Sequence, residues 1–192
     1  IYQMKYAIIG AGGTGGCLGF FLKKAGKDVT LIARGKHLEA IRKNGLTIQK
    51  LWDESRETLP VKACTAEEYK EIPDVILVCV KGYSMDETVP TIKKIAGKET
   101  VVIPILNIYG TGGRLQKKLP ELTVTDGCIY VSANIMEPGV ILQHGKILRV
   151  VFGARKPEEE TENYVSYISR FAGKENVYPM NIRAVGAVHI EL

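Results

Sequence analysis

Residues 7–16, AIIGAGGTGG, run from an apolar stretch of strand length straight into glycine. Glycine loses more freedom on folding than any other residue, so a cluster of it marks a place where something comes close to the main chain. Gly10, Gly12 and Gly15 complete G-x-G-x-x-G. The pattern has meaning only between a strand and a helix. Both are expected here. Residues 5–10 read as a buried strand, and 14–25 as a helix with Leu18, Phe21, Leu22 and Ala25 on one face, stopped by Gly26. In that setting Gly10 permits a tight turn, Gly12 lets a pyrophosphate reach the backbone, and Gly15 lets the helix pack on the strand. The stretch Gly10, Ala11, Gly12, Gly13, Thr14 and Gly15 is therefore the expected phosphate cradle. Free N–H groups and the positive end of the helix would hold the phosphates of a dinucleotide.

The alternation continues downstream. Strands are expected at 28–33, 74–80 and 100–106, and helices at 36–43, 84–96 and 111–118. Short strands at 46–49 and 59–64 flank a polar excursion that carries the single tryptophan, Trp52. Near-continuous apolar strands alternating with helices point to an α/β fold, a Rossmann-like, doubly wound parallel sheet covered on both faces. From about residue 122 the strand-like runs are separated by turns, as in an antiparallel edge extension, and a helix is expected over 157–172 behind Pro157. With the three residues before Met4 set aside, the dinucleotide-binding domain is expected over 4–183, and 184–192 as a divergent or truncated tail.

Composition narrows the function classes. Net charge is +5 with the lysines dispersed, so there is no dense basic block of the kind that binds nucleic acid or a membrane surface. No apolar stretch reaches the ~20 residues a membrane-spanning helix needs. The four cysteines lie far apart without a CxxC pair, which predicts free thiols in a reducing, cytoplasmic setting and no metal site.

The second strand decides which dinucleotide is expected. An NAD-binding chain places an acid near the tip of that strand to accept from the ribose 2′-hydroxyl. Here the sequence reads LIARGKH: Arg34 stands at the tip, with Lys36 beyond and no carboxylate. A guanidinium suits a 2′-phosphate that a carboxylate would repel, so NADPH is the expected cofactor. Lys81 and Asn107 follow the strands expected at 74–80 and 100–106, at the carboxyl ends where open α/β sheets bind ligands. Both are candidates for contact with the cofactor.

These residues resemble the ketopantoate reductases (2-dehydropantoate 2-reductases), within the 6-phosphogluconate-dehydrogenase-like dehydrogenases. The stretches that carry the resemblance are IIGAGGTGG, VTLIARG, NGLTI, DVILVCVKGYS, Asn107 to Gly110, and EPGVILQHG, in the family's order from about residue 4 to 183. The resemblance implies NADPH-dependent reduction of ketopantoate or a related 2-keto acid, a step of pantothenate synthesis. It places Gly10 to Gly15 on the phosphates, Arg34 on the 2′-phosphate and Lys81 on the cofactor. Asn107 would bridge the nicotinamide and the substrate as a catalytic residue.

The chain also departs from the family. Ile108 stands where glycine usually follows the asparagine. Beyond NIRA (181–184), where the family has a tryptophan and then the proton-donating lysine opening a helical domain, Ala187 and His189 occupy the places. The expectation is a cofactor domain without its helical partner, binding NADPH but hardly turning over substrate alone. A surface left uncovered in this way could pair two copies as a homodimer. The alternative reading is a non-catalytic NADP(H)-sensing module that acts on a partner protein.

Overall fold

The computed structural model describes residues 2–156 and the backbone of 185–190. In chain order the elements are β1 (Lys5–Ile9), α1 (Gly13–Lys24), β2 (Asp28–Ile32), α2 (Gly35–Asn44), β3 (Leu46–Lys50), β4 (Arg56–Leu59) and β5 (Lys62–Cys64). There follow β6 (Val75–Val78), α3 (Met85–Ile95), β7 (Val101–Pro104), α4 (Thr111–Lys118), β8 (Thr123–Val124) and β9 (Asp126–Tyr130). The last are β10 (Ala133–Glu137), β11 (Val140–Gln143), β12 (Leu148–Gly153) and β13 (Val185–Ile190).

Six strands form the central sheet in the order β5-β2-β1-β6-β7-β8, and every pairing in it is parallel. This is the 3-2-1-4-5-6 order of the doubly wound dinucleotide fold, with its reversal between β1 and β6. Period-two geometry explains why its strands are apolar throughout. Ile8, Leu31, Leu77 and Ile103 belong to the core on the α1 side, whereas Ala7, Ile9, Ile76, Val78 and Val102 pack with α3 and α4.

Helix α1 is covered on more sides than an ordinary surface helix. A second sheet, β10-β11-β3-β4, lies against it, so residues 15–22 are all buried. The sequence permits this: from Gly13 to Leu22 the helix has no charge, and small residues let sheets approach from both sides. Gly16 receives Ile141 from β11, and Gly19 receives Leu31 from β2.

Of the runs after residue 122, expected as an antiparallel edge extension, β8 is the parallel edge of the central sheet, and the others form sheets of their own, antiparallel except where β11 pairs parallel with β3. Strands β10 and β11 join β3 and β4, while β9, β12 and β13 make a third sheet. The stretch 59–64, expected as one strand, is two. Strand β4 ends at Leu59 as the partner of β3, and β5 starts at Lys62 as the edge of the central sheet. Pro60 stands between them, with no N–H to extend a ladder. Residues 185–190, read from sequence as a tail, pair antiparallel along all of β12. The helix expected over 157–172 lies outside the described residues.

Candidate cofactor site

The carboxyl ends of β1, β2, β6 and β7 gather four loops at one edge of the sheet. The turn after β1 is built by exclusion. Gly10 has φ +98°, and a methyl there would lie 2.5 Å from the carbonyl oxygen of Cys79. A methyl on Gly15 would lie 1.8 Å from the Gly10 carbonyl oxygen, so α1 can start this close to its strand only with glycine. Gly12 is different. It is the N-cap of α1, and nothing lies within 4 Å of where its side chain would be. No side chain caps the helix and no acid occupies its first turn, so the positive end of α1 faces open space beside Gly12.

Gly13 has a role the sequence reading missed. A methyl on it would lie 2.2 Å from the carbonyl oxygen of Ala133, so β10 crosses directly over the start of α1. Thr14 is half-buried in the same first turn, and Ala11 is buried.

Arg34 is the N-cap of α2 at the tip of β2, extended and exposed. Its guanidinium makes no ion pair with any described residue. The loop after β6 places Lys81, also exposed, before a short 3-10 turn at Gly82–Ser84. The loop after β7 meets it: the Ile108 side chain occupies the space over Gly82. Asn107 holds that loop in place. Its Nδ2 donates to the Ile129 carbonyl at 2.9 Å, and its Oδ1 accepts from the Ile129 N–H at 3.0 Å. One N–H and one lone pair remain for a ligand. Beyond Asn107 opens a cavity of about 720 Å³, lined in part by Tyr109, Tyr130, Phe152 and Arg155. The structure thus brings the Gly10 turn, Cys79–Lys81 and Asn107 into one arc, with Arg34 at its other end after β2.

Beneath this arc lies the buried body of α1. Burial pushes the Cys17 thiol on α1 up to about 12, and the Cys79 thiol upward as well. All four cysteines are free. Among the described residues no group of three or more His, Cys, Asp or Glu could hold a metal, and no helix is long and apolar enough to cross a membrane.

The family described as ketopantoate reductase PanE/ApbA matches residues 6–157, most of the chain and every loop of this arc. The chain belongs to that family. It is 34% identical over 181 residues to a 2-dehydropantoate 2-reductase of Pyrococcus horikoshii, covering 93% of this chain and 57% of that protein. It is 29% identical over 170 residues to an uncharacterized oxidoreductase, YkpB, of Bacillus subtilis, covering 88% of this chain and 55% of that one. Among solved structures, the 2-dehydropantoate 2-reductase of Porphyromonas gingivalis superimposes with a TM-score of 0.75 at 33% identity, covering 88% of this chain and 61% of that one. The chain spans about half the length of the relatives it matches. Its fold is that of a nicotinamide-dependent dehydrogenase.

Proposed function

We propose that this chain binds NADPH and forms the cofactor half of a site that reduces ketopantoate or a related 2-keto acid to the 2-hydroxy acid. The observation that carries the reading is the uncapped, acid-free start of α1 at Gly12, open to solvent at the point where the strand order reverses. A pyrophosphate fits that space. Its oxygens would take the free N–H groups of the first turn, and a residue with a side chain at Gly12 would fill the space instead.

Arg34 would select the 2′-phosphate, since an exposed guanidinium after β2 with no ion-pair partner among the described residues offers a planar set of donors there. Lys81 would meet the cofactor from the loop after β6. Asn107, held by Ile129, would present its remaining N–H to the substrate carbonyl or the nicotinamide amide. When bound, NADPH supplies the hydride that reduces the carbonyl carbon.

The alkoxide so formed needs a proton donor, worth ~10²–10⁴-fold in rate. The family places a lysine for this after its NIRA-like stretch, where this sequence has His189. We therefore propose that the 192-residue chain binds NADPH and turns over ketopantoate negligibly; turnover in the ordinary range of ~1–10³ s⁻¹ overturns that statement.

Fluorescence titration with NADPH and NADH, on wild type and Arg34→Ala, tests the cofactor assignment. Wild type is expected to prefer NADPH. Arg34→Ala is expected to lose roughly tenfold or more for NADPH and little for NADH, the scale of a hydrogen bond to a charged group. A wild type without preference, or a preference that survives the substitution, overturns it.

A further inference from the structure

His37 belongs to none of the roles above, yet its side chain ties three loops of the site together. It lies in the first turn of α2, three residues after Arg34, and is half-buried. Its Nδ1 lies 2.9 Å from the backbone N–H of Gly139, in the turn between β10 and β11. A backbone N–H can only donate, so Nδ1 is the accepting nitrogen and Nε2 carries the proton. Nε2 lies 2.6 Å from the carbonyl oxygen of Ala11, which can only accept. The two bonds fix one neutral tautomer.

The consequence is geometric. Ala11 sits inside the glycine turn, and Arg34 is the cap of the helix that carries His37. Gly139 belongs to the hairpin whose β10 strand crosses over Gly13. One imidazole therefore sets the separation between the start of α1 and the start of α2, and presses the hairpin onto both. We propose that His37 is a positioning residue for dinucleotide selectivity: by holding Ala11 to the first turn of α2, it keeps the pyrophosphate cradle and Arg34 at the spacing that a 2′-phosphorylated dinucleotide requires. This rests on the NADPH reading above.

The two bonds can be separated by substitution. Glutamine places an N–H near the position of Nε2 and can keep the bond to Ala11 while losing Gly139. Asparagine places an oxygen near Nδ1 and can keep Gly139 while losing Ala11. Dissociation constants for NADPH and NADH, with melting midpoints, are measured on wild type, H37Q, H37N and H37A. The ratio of the two constants is expected to fall roughly threefold to tenfold in H37N and H37A, the range one uncharged hydrogen bond supplies, and to be rescued in H37Q.

A general loss of stability would weaken both dinucleotides together and leave the ratio unchanged. That result in H37A and H37N overturns the proposal while a wild-type preference for NADPH upholds the cofactor reading. The ¹⁵N shifts of the His37 ring read the tautomer without any ligand, and a protonated Nδ1 in the neutral ring also overturns it. A wild type that prefers neither dinucleotide removes the cofactor reading, and this proposal falls with it.

Discussion

Two helices of this chain begin on the same four letters. Residues 13–16 and 110–113 both read GTGG, one opening α1 and the other α4. Each helix follows a strand of the central sheet, and neither has a side-chain cap or an acid in its first turn. Their surroundings differ. At α1, Gly12 leads in with nothing within 4 Å of its missing side chain. At α4, Gly110 leads in with φ +79° and is equally open, but charged side chains fill the turn behind it, where at α1 the neighbour is the main chain of β10. A methyl on Gly112 would lie 2.3 Å from a carboxylate oxygen of Asp126 and 2.4 Å from the Thr125 carbonyl oxygen, while the Arg155 side chain lies over Gly112 and Gly113. Arg155 is itself paired with Asp126 at 3.5 Å.

The lesson is that a helix start becomes a phosphate site through what stays away from it. The Thr125 carbonyl, the Asp126 carboxylate and the Arg155 side chain crowd the first turn of α4 from within the protein. The α1 end, at the reversal of strand order, remains open.

The comparison breaks most visibly at Gly15. Gly15→Ala would drive a methyl into the Gly10 carbonyl, which is backbone and cannot step aside. We expect a loss of about 3 kcal/mol or more in urea unfolding, together with no measurable NADPH binding. A variant as stable as wild type would show that α1 can start elsewhere.

Next in size is a reciprocal pair. Gly12→Ala meets no protein atom, so its stability should change by less than about 1 kcal/mol while NADPH affinity falls at least roughly tenfold. Gly112→Ala crowds Thr125 and Asp126, so it should lose about 1–3 kcal/mol and leave NADPH affinity where it was. If both variants lower affinity alike, the two helix starts are not distinct in function.

The depth of α1 gives a smaller effect with a defined sign. The Cys17 thiol is raised by burial from its ordinary 9.0 to about 12, so the folded state keeps its proton where the unfolded chain gives it up. That stabilisation is fully present below pH 9.0 and is lost as the pH climbs toward about 12. The melting midpoint should therefore drop over that interval, and Cys17→Ala should make the drop shallower. Cys17 should also resist thiol reagents in the folded protein; labelling as fast as in urea would contradict its burial.

The smallest effect belongs to the surface of α4. Arg114 and Lys118 pair with Asp86 of α3 at 3.3 and 3.1 Å, and all three side chains are well exposed. The hydrogen bond from Lys118, then that from Arg114, lowers the Asp86 carboxyl below its ordinary 3.8, so the contribution is present at neutral pH and fades as the pH falls below that value. Solvent and salt screen it. Asp86→Asn should leave the melting midpoint within the scatter of replicate scans, and a clear shift would mean that α3 and α4 depend on this pairing.

Much of this was readable residue by residue. Helix α4 runs over 111–118 as its pattern indicates, and the apolar runs at 5–10, 28–33, 74–80 and 100–106 are β1, β2, β6 and β7, the four inner strands of the central sheet. The roles read into Gly10 and Gly15 match the atoms their side chains would meet. Strand β4 escaped because RETL alternates between exposed and half-buried positions and carries almost no apolar signal. The bonds of His37 escaped because their partners lie 26 and 102 residues away, and no local pattern announces a contact at that range. The anchoring of Asn107 on Ile129, 22 residues on, was hidden for the same reason.

The sequence by itself settled what is local and periodic: the apolar inner strands and the helices between them, where glycine must let the chain turn, and the absence of an acid at the tip of β2. Those follow from side-chain size, charge and spacing along one chain. Only the tertiary structure decided what lies against each GTGG, and that an imidazole from α2 holds the loop of α1. Both depend on what distant strands bring against a backbone group. A buried N–H or carbonyl must be satisfied by whatever the fold places beside it, and a site exists where the fold leaves one unsatisfied facing solvent.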